Sequence, residues 1–378
     1  SYHSQMIKKN NLYFDTAATT PLDLRVAEYM HEINKDIFGN PSSIHQVGQK
    51  SHNIIERSRK KIAELLHCKQ SEIYFTSGGS ESNNIALRGV LKSGDHLITA
   101  SYEHPAILDV AEYLESIDIE VTYVKPNQDG IVEAQNIKKA IKSNTKLVSI
   151  MAVNNEIGTI NPINQISDMC REHKIYFHTD AVQYVGKREI NLNSSNIDML
   201  SLGAHKFYGP KGVGAIYIKS GVSVNPFIFG GGQEKGIRPG TESPSLISGL
   251  CHALEIAMND LEKNSTHINN MENLFLELLD KTNIKYNVNG KSRLGGIVNI
   301  TFFDFDGHSL LLNLDMRNIA ISFGSACASG TAKASPVLLS IGLNEDIANK
   351  TVRISIGKHI AENDIHSLVD ALEGIIIK

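Results

Sequence analysis

The stretch 178–206 contains HTDAVQ at 178–183 and, after a short gap, DMLSLGAHK at 198–206. One apolar run, at 175–177, leads to Asp180, and a second, at 197–202, leads to His205 and Lys206. If both runs are neighbouring strands of a parallel sheet, the carboxylate and the amine emerge at one edge, where open α/β sheets bind ligands. An ordinary ion pair, or two unrelated surface charges, explains either residue taken alone. The rest of the chain therefore decides between these interpretations.

Strand-like and helix-like segments alternate through the first two thirds of the chain. Strands are expected at 73–75, 96–100, 121–124, 147–153, 175–179, 197–202 and 215–218, and helices at 49–66, 133–142, 164–173, 245–261 and 269–280. This order predicts an α/β fold with a mainly parallel, seven-stranded type of sheet and helices on both faces. The tail, with strands at 296–303, 319–322 and 352–356 and helices at 308–314 and 363–377, predicts a smaller α+β domain. We place the large domain at 15–258 and the small domain at 1–14 and 259–378.

The composition excludes several classes of protein. The chain has 378 residues, 41% of them hydrophobic and 21% charged, and a net charge of −4, which gives no basic footprint for direct nucleic-acid binding. No apolar run approaches the roughly 20 residues of a membrane helix, so no membrane association is expected. The four cysteines are scattered and form no CxxC pair, which argues against a zinc ribbon and fits a reducing, cytoplasmic location.

Polar clusters follow several of the predicted strands. TSGGSESN at 76–83 lies between a strand and a helix, an arrangement in which Gly79, Ser80 and the helix N-terminus can hold a phosphate. The segment matches neither GxxxxGK[ST] nor GxGxxG, and a plain turn with a serine cap is the alternative. His104 and Asn155 each follow a strand at the same predicted sheet edge, although His104 alone could equally be a structural histidine.

Cys327 has unusual neighbours for a cysteine. It lies in GSACASGTAKASP at 324–336, where small residues surround one thiol. Because a buried cysteine usually has apolar neighbours, this pattern predicts an exposed thiol with a redox or nucleophilic role. A surface loop with an incidental cysteine is the alternative. We interpret Cys68, Cys170 and Cys251, which lie in or beside helical patterns, as packing residues.

Five motifs together carry a resemblance to a known family. They are NNEIG at 154–158, HTDAVQ at 178–183, HKFYGPKG at 205–212, RPGT at 238–241 and GSAC at 324–327. The chain resembles, from about residue 13 to 355, the cysteine desulfurases of the NifS/IscS family, which are fold type I, class-V aminotransferase-like enzymes dependent on pyridoxal 5′-phosphate (PLP). The resemblance implies an enzyme that takes sulfur from L-cysteine, forming L-alanine and a persulfide on Cys327. A sulfur-acceptor protein would then receive the sulfur for iron–sulfur cluster assembly, tRNA thiolation or both.

The resemblance also implies a role for each matching residue. Lys206 would bind PLP covalently and act catalytically, Asp180 would hold the pyridine nitrogen, and His104 would stack on the ring as a candidate proton carrier. Gln183 would contact the phenolic oxygen, Asn155 the ring and the substrate, and Arg353 the substrate carboxylate. The phosphate would be held by Gly79, Ser80, Gly203 and His205, with Thr241 supplied by the partner subunit of a homodimer.

Two departures from the family pattern concern the phosphate end of the site. Gly79-Ser80 stands where the family usually has Ala-Thr, and Gly203 where it often has serine. The lost hydroxyl at Gly203 should weaken cofactor binding by about 1 kcal/mol unless backbone donors compensate.

Other functions remain open at this point. A selenocysteine lyase or a related fold type I aminotransferase would keep Lys206 and Asp180 without needing Cys327. A non-enzymatic sulfur carrier or assembly scaffold would lack PLP. No metal site is expected, and the sequence leaves open whether Cys327 transiently ligates an iron–sulfur cluster.

Overall fold

The structure, a computed structural model, describes residues 11–323 and 334–377. Its helices are α1 (Leu24–Asp36), α2 (Gln46–Leu66), α3 (Gly79–Val90), α4 (Pro105–Glu115), α5 (Ala134–Ala140), α6 (Ile163–Glu172), α7 (Pro244–Asn259), α8 (Leu261–Asp280), α9 (Gly307–Asp315), α10 (Pro336–Ser340), α11 (Glu345–Asn349) and α12 (Glu362–Ile376). Its strands are β1 (Leu12–Tyr13), β2 (Ile73–Thr76), β3 (His96–Ala100), β4 (Glu120–Val124), β5 (Thr145–Ser149), β6 (Tyr176–Asp180), β7 (Met199–Gly203), β8 (Gly214–Ile218), β9 (Tyr286–Val288), β10 (Ile297–Phe302), β11 (Ile319–Ala320) and β12 (Thr351–Ser355).

The central sheet confirms the predicted α/β class. Within the described ranges it has seven strands in the order β2-β8-β7-β6-β5-β3-β4. Strands β7, β6, β5, β3 and β4 run parallel, and β8 runs antiparallel to both of its neighbours. Because the parallel strands share a direction, the loops after β3, β5, β6 and β7 leave the sheet at one edge.

Successive residues of the central strands enter different cores. Val148 and Leu200 pack into the core that contains residues of α1, α2, α6 and α7, whereas Leu147 and Met199 pack into the core that contains residues of α3 and α4. Alternate side chains of a strand point to opposite faces, so a sheet covered on both faces favours apolar residues on both sides of its strands. This explains why the neighbouring positions 147–148 and 199–200 are both apolar, whereas β6 continues into the buried polar residues His178, Thr179 and Asp180.

A second core lies around the remaining strands. Strands β12, β10 and β9 form an antiparallel sheet, and β1 pairs with β11. Phe14, Phe275, Phe302 and Leu368 pack together in this core. The division into 15–258 on one side and 1–14 with 259–378 on the other stays a prediction.

Two elements differ from their predicted bounds by four residues or more at one end. The strand expected to run to Val153 ends at Ser149, and the buried residues that follow belong to an irregular segment, since a buried apolar run has no period that separates strand from loop. The helix expected to begin at residue 269 begins at Leu261. The prediction missed its first turns because they are polar and carry no apolar stripe. No helix in the described part of the chain is long and apolar enough to cross a bilayer.

Candidate active site

The carboxyl ends of the parallel strands enclose a cavity of roughly 300 Å³. Its lining comes from six separate segments of the chain and contains most of the residues that the sequence predicted for one site. They are Gly79, Ser80, His104, Asn155, Asp180, Gln183, His205 and Lys206, joined by Ala18, Asn83, Ala106, Met151, Val153 and Val182. Asp180 and Lys206 therefore line the same cavity at one edge of the sheet, as the sequence predicts.

Asp180, the last residue of β6, is held by two donors. The Asn83 side chain donates to Oδ2 at 2.9 Å, and the Val182 amide donates to Oδ1 at 3.0 Å. Asp180 is 7% exposed, and these two hydrogen bonds fix the orientation of its carboxylate. Asp180 can therefore present a fixed negative charge to a cationic ring nitrogen in the cavity.

Lys206 ends a short 3₁₀ turn, Ala204–Lys206, that follows β7. Its Nζ donates to the carbonyl oxygens of Ala17 and Ala18 at 2.6 and 2.8 Å. Burial, reinforced by the charge of Arg353, lowers the pKa of the Lys206 amine to about 8. A lysine with a depressed pKa has a usable fraction of neutral amine near pH 7, as attack on a carbonyl requires.

His104 caps the N-terminus of α4. Its Nδ1 accepts a hydrogen bond from the Ala106 amide at 3.0 Å, so Nε2 carries the proton of the neutral ring. Burial of the ring nitrogens lowers the pKa of His104, against the opposing effect of Asp180. The side chain lines the cavity, so it can contact a ring bound there.

The N-terminus of α3 forms the other end of the cavity. No side chain caps it at Gly78, so its first amide groups are available to an anion. The Cβ of a residue replacing Gly203 would lie 3.5 Å from the Gly79 amide nitrogen, which places residue 203 beside this terminus. His205 shares a 3.0 Å hydrogen bond between Nδ1 and Thr19 Oγ1, and burial lowers its pKa to about 4.

These donors suit the functional groups of PLP. An anion-binding helix terminus suits the phosphate, the Asp180 carboxylate suits a protonated pyridine nitrogen, and the Lys206 amine suits the aldehyde. Asn83 adds a further indication, because its Oδ1 is buried and has no partner among the described residues. A polar cavity with an unsatisfied acceptor is the expected state of a site built around a polar ligand.

Gln183 lies in the cavity wall and is 3% exposed. Its Nε2 donates to the Ala17 carbonyl oxygen at 2.7 Å, and its Oε1 accepts from Lys187 Nζ at 2.7 Å. The amide is therefore fixed from both ends.

Arg353 of β12 lies behind Asn155 and does not line the cavity. Its guanidinium donates to the Asn155 carbonyl oxygen at 2.8 Å and to Asp15 Oδ1 at 3.1 Å, and it is 3% exposed. Its Nε is buried without a partner in the described ranges. Burial raises the pKa of Asp15, and the charge of Arg353 opposes that shift. The predicted role of Arg353 toward a substrate carboxylate stays a prediction.

Thr241 lies apart from the cavity. It is exposed, in a segment anchored by Arg238, whose Nε donates to Glu81 at 2.8 Å, and by the buried ion pair of Arg59 and Glu234 at 2.7 Å. Its predicted contact with a partner subunit stays a prediction.

The cysteines separate into two groups. Cys327 lies outside the described residues. Cys170 and Cys251 are buried in the main core and Cys68 packs against it; burial raises the pKa of each thiol to about 12. These three are packing residues, as the sequence predicts.

Three residues of the site were missed from the sequence: Asn83, Asp15 and Lys187. Asn83 had a signal, since it lies one helical turn after Gly79 and so shares its face of α3. Lys187 follows Gln183 by four residues in an irregular segment, where that spacing predicts no contact. Asp15 is 338 residues from Arg353 in sequence, and no local pattern predicts that these two residues pair.

Comparison with known proteins agrees with this geometry. The aminotransferase class-V family model matches residues 12–368. The cysteine desulfurase IscS of Dictyoglomus turgidum is 42% identical over 376 residues, covering 98% of this chain and 95% of the relative. A solved NifS-like protein superposes with a TM-score of 0.91 at 33% identity, covering 97% of this chain and 99% of that one. Another, described as SspA in complex with cysteine, has a TM-score of 0.83 at 40% identity, with coverages of 93% and 100%.

The chain belongs to the class-V aminotransferases, a family of PLP-dependent enzymes with this fold. Within that family it is a member of the cysteine desulfurases. The relatives do not favour the alternatives of a selenocysteine lyase, a different aminotransferase or a non-enzymatic scaffold.

Proposed function

We propose that the enzyme converts L-cysteine to L-alanine and holds the released sulfur as a persulfide on Cys327 before an acceptor protein takes it. One observation carries the proposal: Lys206, Asp180 and the N-terminus of α3 face a single cavity and match the aldehyde, ring nitrogen and phosphate of PLP. The cysteine complex described for the structural relative SspA supports cysteine as the substrate.

The residues around the cavity divide the work of proton transfer. Bound PLP supplies an electron sink for the substrate carbon that loses its proton. The Asp180 carboxylate would hold a proton on the ring nitrogen, and the hydrogen bond from Asn83 fixes the orientation of that carboxylate. Lys206, with its lowered pKa, accepts the proton from the substrate carbon, and His104 returns a proton through Nε2.

Cys327 then acts as the nucleophile. Its thiolate attacks the sulfur of the substrate, so that a sulfur–sulfur bond forms as the carbon–sulfur bond breaks. The electron pair of the broken bond remains with the β-carbon of the substrate, which takes up a proton. Return of a proton to the α-carbon, from which Lys206 removed one, completes L-alanine. The product on the enzyme is the Cys327 persulfide.

Arg353 and Asn155 are proposed to bind the substrate. The unpartnered Nε of Arg353 and its bidentate geometry suit a carboxylate, which would compete with Asp15 for the guanidinium. Asn155, whose carbonyl oxygen accepts from Arg353, couples this group to the cavity wall.

The biological setting is also part of the proposal. The enzyme works as a cytoplasmic homodimer in which Thr241 of each subunit reaches the phosphate site of the other. The exposed side chain of Thr241, away from its own cavity, supports this arrangement. The acceptors are iron–sulfur scaffolds, tRNA-thiolating enzymes or both.

The test measures both products. Purified enzyme should show the visible absorption of bound PLP and form equal amounts of alanine and sulfide from L-cysteine in the presence of a thiol reductant. Cys327→Ser should keep the absorption and lose both products, whereas the matched control Cys68→Ser should keep both. Alanine formation by Cys327→Ser at the unmodified rate would overturn the proposed role of this thiol.

A further inference from the structure

Lys187 does not line the cavity but contacts Gln183, which does. Its Nζ donates to Gln183 Oε1 at 2.7 Å, while Gln183 Nε2 donates to the Ala17 carbonyl oxygen at 2.7 Å. A primary amide has two N–H groups and one oxygen. With the oxygen facing Lys187 and one N–H on Ala17, the second N–H is the group left for the cavity that Gln183 lines.

The charge of Lys187 has no acidic partner within the described ranges. Burial, reinforced by the charges of Lys206 and Arg353, lowers the pKa of Lys187 to about 7. The charged form of this amine therefore lacks a counter-ion. An anionic group in the adjoining cavity would stabilise the charged form and raise its pKa again.

We propose that Lys187 is a positioning residue: it locks the Gln183 amide with an N–H toward the cavity and directs positive charge to the phenolic-oxygen side of the bound cofactor. This inference rests on the proposed function, because it takes PLP as the ligand. The Lys187 amine is cationic, and the Gln183 amide lies between it and the cavity with an N–H directed inward. The phenolic oxygen of bound PLP would be the negative group that this charge and this N–H stabilise.

The experiment follows the visible absorption band of the resting, PLP-loaded enzyme against pH, without substrate. Removing a positive charge makes proton loss from the cofactor harder, so Lys187→Met should raise the pH midpoint of the band by roughly half a unit to one unit. Lys187→Arg keeps the charge and a donor, and should return the midpoint to near the wild-type value. A purely structural role for Lys187 would change melting temperature without this pattern.

Two controls make the result specific. In a Gln183→Leu background, Lys187→Met should shift the midpoint by less than half as much, because the Gln183 amide is already absent. Lys138→Met, which removes a lysine from α5, should leave the midpoint unchanged. If Lys187→Met does not fold, Lys187→Gln takes its place, with the same upward shift expected.

The outcomes separate this inference from the proposed function. A loaded Lys187→Met enzyme with an unchanged midpoint, or a full shift that persists without Gln183, overturns the inference and leaves the desulfurase intact. Failure of the wild type to bind PLP overturns the proposed function itself.

Discussion

The amine of Lys206 owes its reactivity to its surroundings. Its pKa of about 8, against an ordinary value of 10.5, is set first by burial and then by Arg353. The rate of PLP incorporation into apoenzyme, followed by the visible band, should therefore rise with pH to a midpoint near 8. Arg353→Gln should move that midpoint upward, because it removes a cation, and Lys206→Ala should show no such band. A wild-type midpoint near 10 would contradict the assigned environment.

Asn83 holds the carboxylate on which the cofactor ring depends. It is 1% exposed and donates to Asp180 at 2.9 Å. Asn83→Ala should weaken PLP binding about tenfold, since a hydrogen bond to a charged group contributes about 1.5 kcal/mol. The matched control is Asn84→Ala, one position along the same helix, which should change the PLP dissociation constant less than twofold. Equal effects in fluorescence titrations of the two variants would count against the role of Asn83.

Residue 203 has room for the hydroxyl that the family often carries. A Cβ there would meet its nearest neighbours at 3.5–4.0 Å, which is ordinary contact. Gly203→Ser should tighten PLP binding by up to about 1 kcal/mol, or fivefold, through one added hydrogen bond. Gly203→Ala, which adds the Cβ without the hydroxyl, should bind as the wild type does. No tightening in the serine variant would indicate that backbone donors already satisfy the phosphate.

At the scale of the element, the start of α3 packs closely against the segment that follows β6, with Gly79 against Val182. A Cβ at Gly79 would lie 2.6 Å from Val182 Cγ2, closer than two such carbons can approach. Gly79→Ala should therefore destabilise the apoenzyme by about 1–3 kcal/mol, measured by denaturant unfolding. Adding Val182→Ala should recover most of that loss, a coupling expected of residues in contact.

The control for this prediction is Gly232→Ala, where a Cβ meets nothing within 4 Å. It should leave the free energy of unfolding within about 0.5 kcal/mol of the wild type. Additive losses in the Gly79→Ala, Val182→Ala double variant would show that the two residues are not coupled.

The elements of the large sheet could be predicted because alternating strands and helices determine both direction and edge. That reasoning correctly placed His104, Asn155, Asp180 and Lys206 together, since each follows a parallel strand. It failed at the beginning of α8, because the first turns of this helix are polar and carry no apolar stripe by which a helix is recognised in a sequence.

At the scale of the whole molecule, two of the site residues that the sequence did not predict, Asp15 and Asn83, make long-range contacts. Asp15 meets Arg353 across 338 residues, and Asn83 meets Asp180 across 97. Such pairs depend on how distant segments pack. Helical periodicity indicates that Asn83 shares a face with Gly79, but it identifies no partner for Asn83 or for Asp15. The second core shows the same limit, since Phe14 packs among residues from the other end of the chain.

Several large apolar residues are exposed on the surface of the molecule. Phe38, Ile44 and Phe229 are 79%, 90% and 85% exposed. The segments that carry them border one cavity of roughly 720 Å³, lined by residues 41–42 and by residues 232–235 with Glu242. We expect the proposed homodimer to bury this surface, because exposed apolar groups suit a protein contact and Glu242 of the same cavity adjoins Thr241.

Phe229→Asp and Ile44→Asp should therefore convert a dimer into monomers, because each places a charge in an apolar interface. Sedimentation velocity should show the mass halved, and PLP binding should weaken in parallel if Thr241 completes the partner's phosphate site. Met316→Asp, at a residue 76% exposed that follows α9, is the matched control and should remain dimeric. A monomeric wild type, or equal dissociation of the Met316→Asp variant, would rule out this surface as the dimer interface. Dissociation with unchanged PLP affinity would keep the interface and remove Thr241 from the site, since the phosphate would then be held within one subunit by α3 and His205.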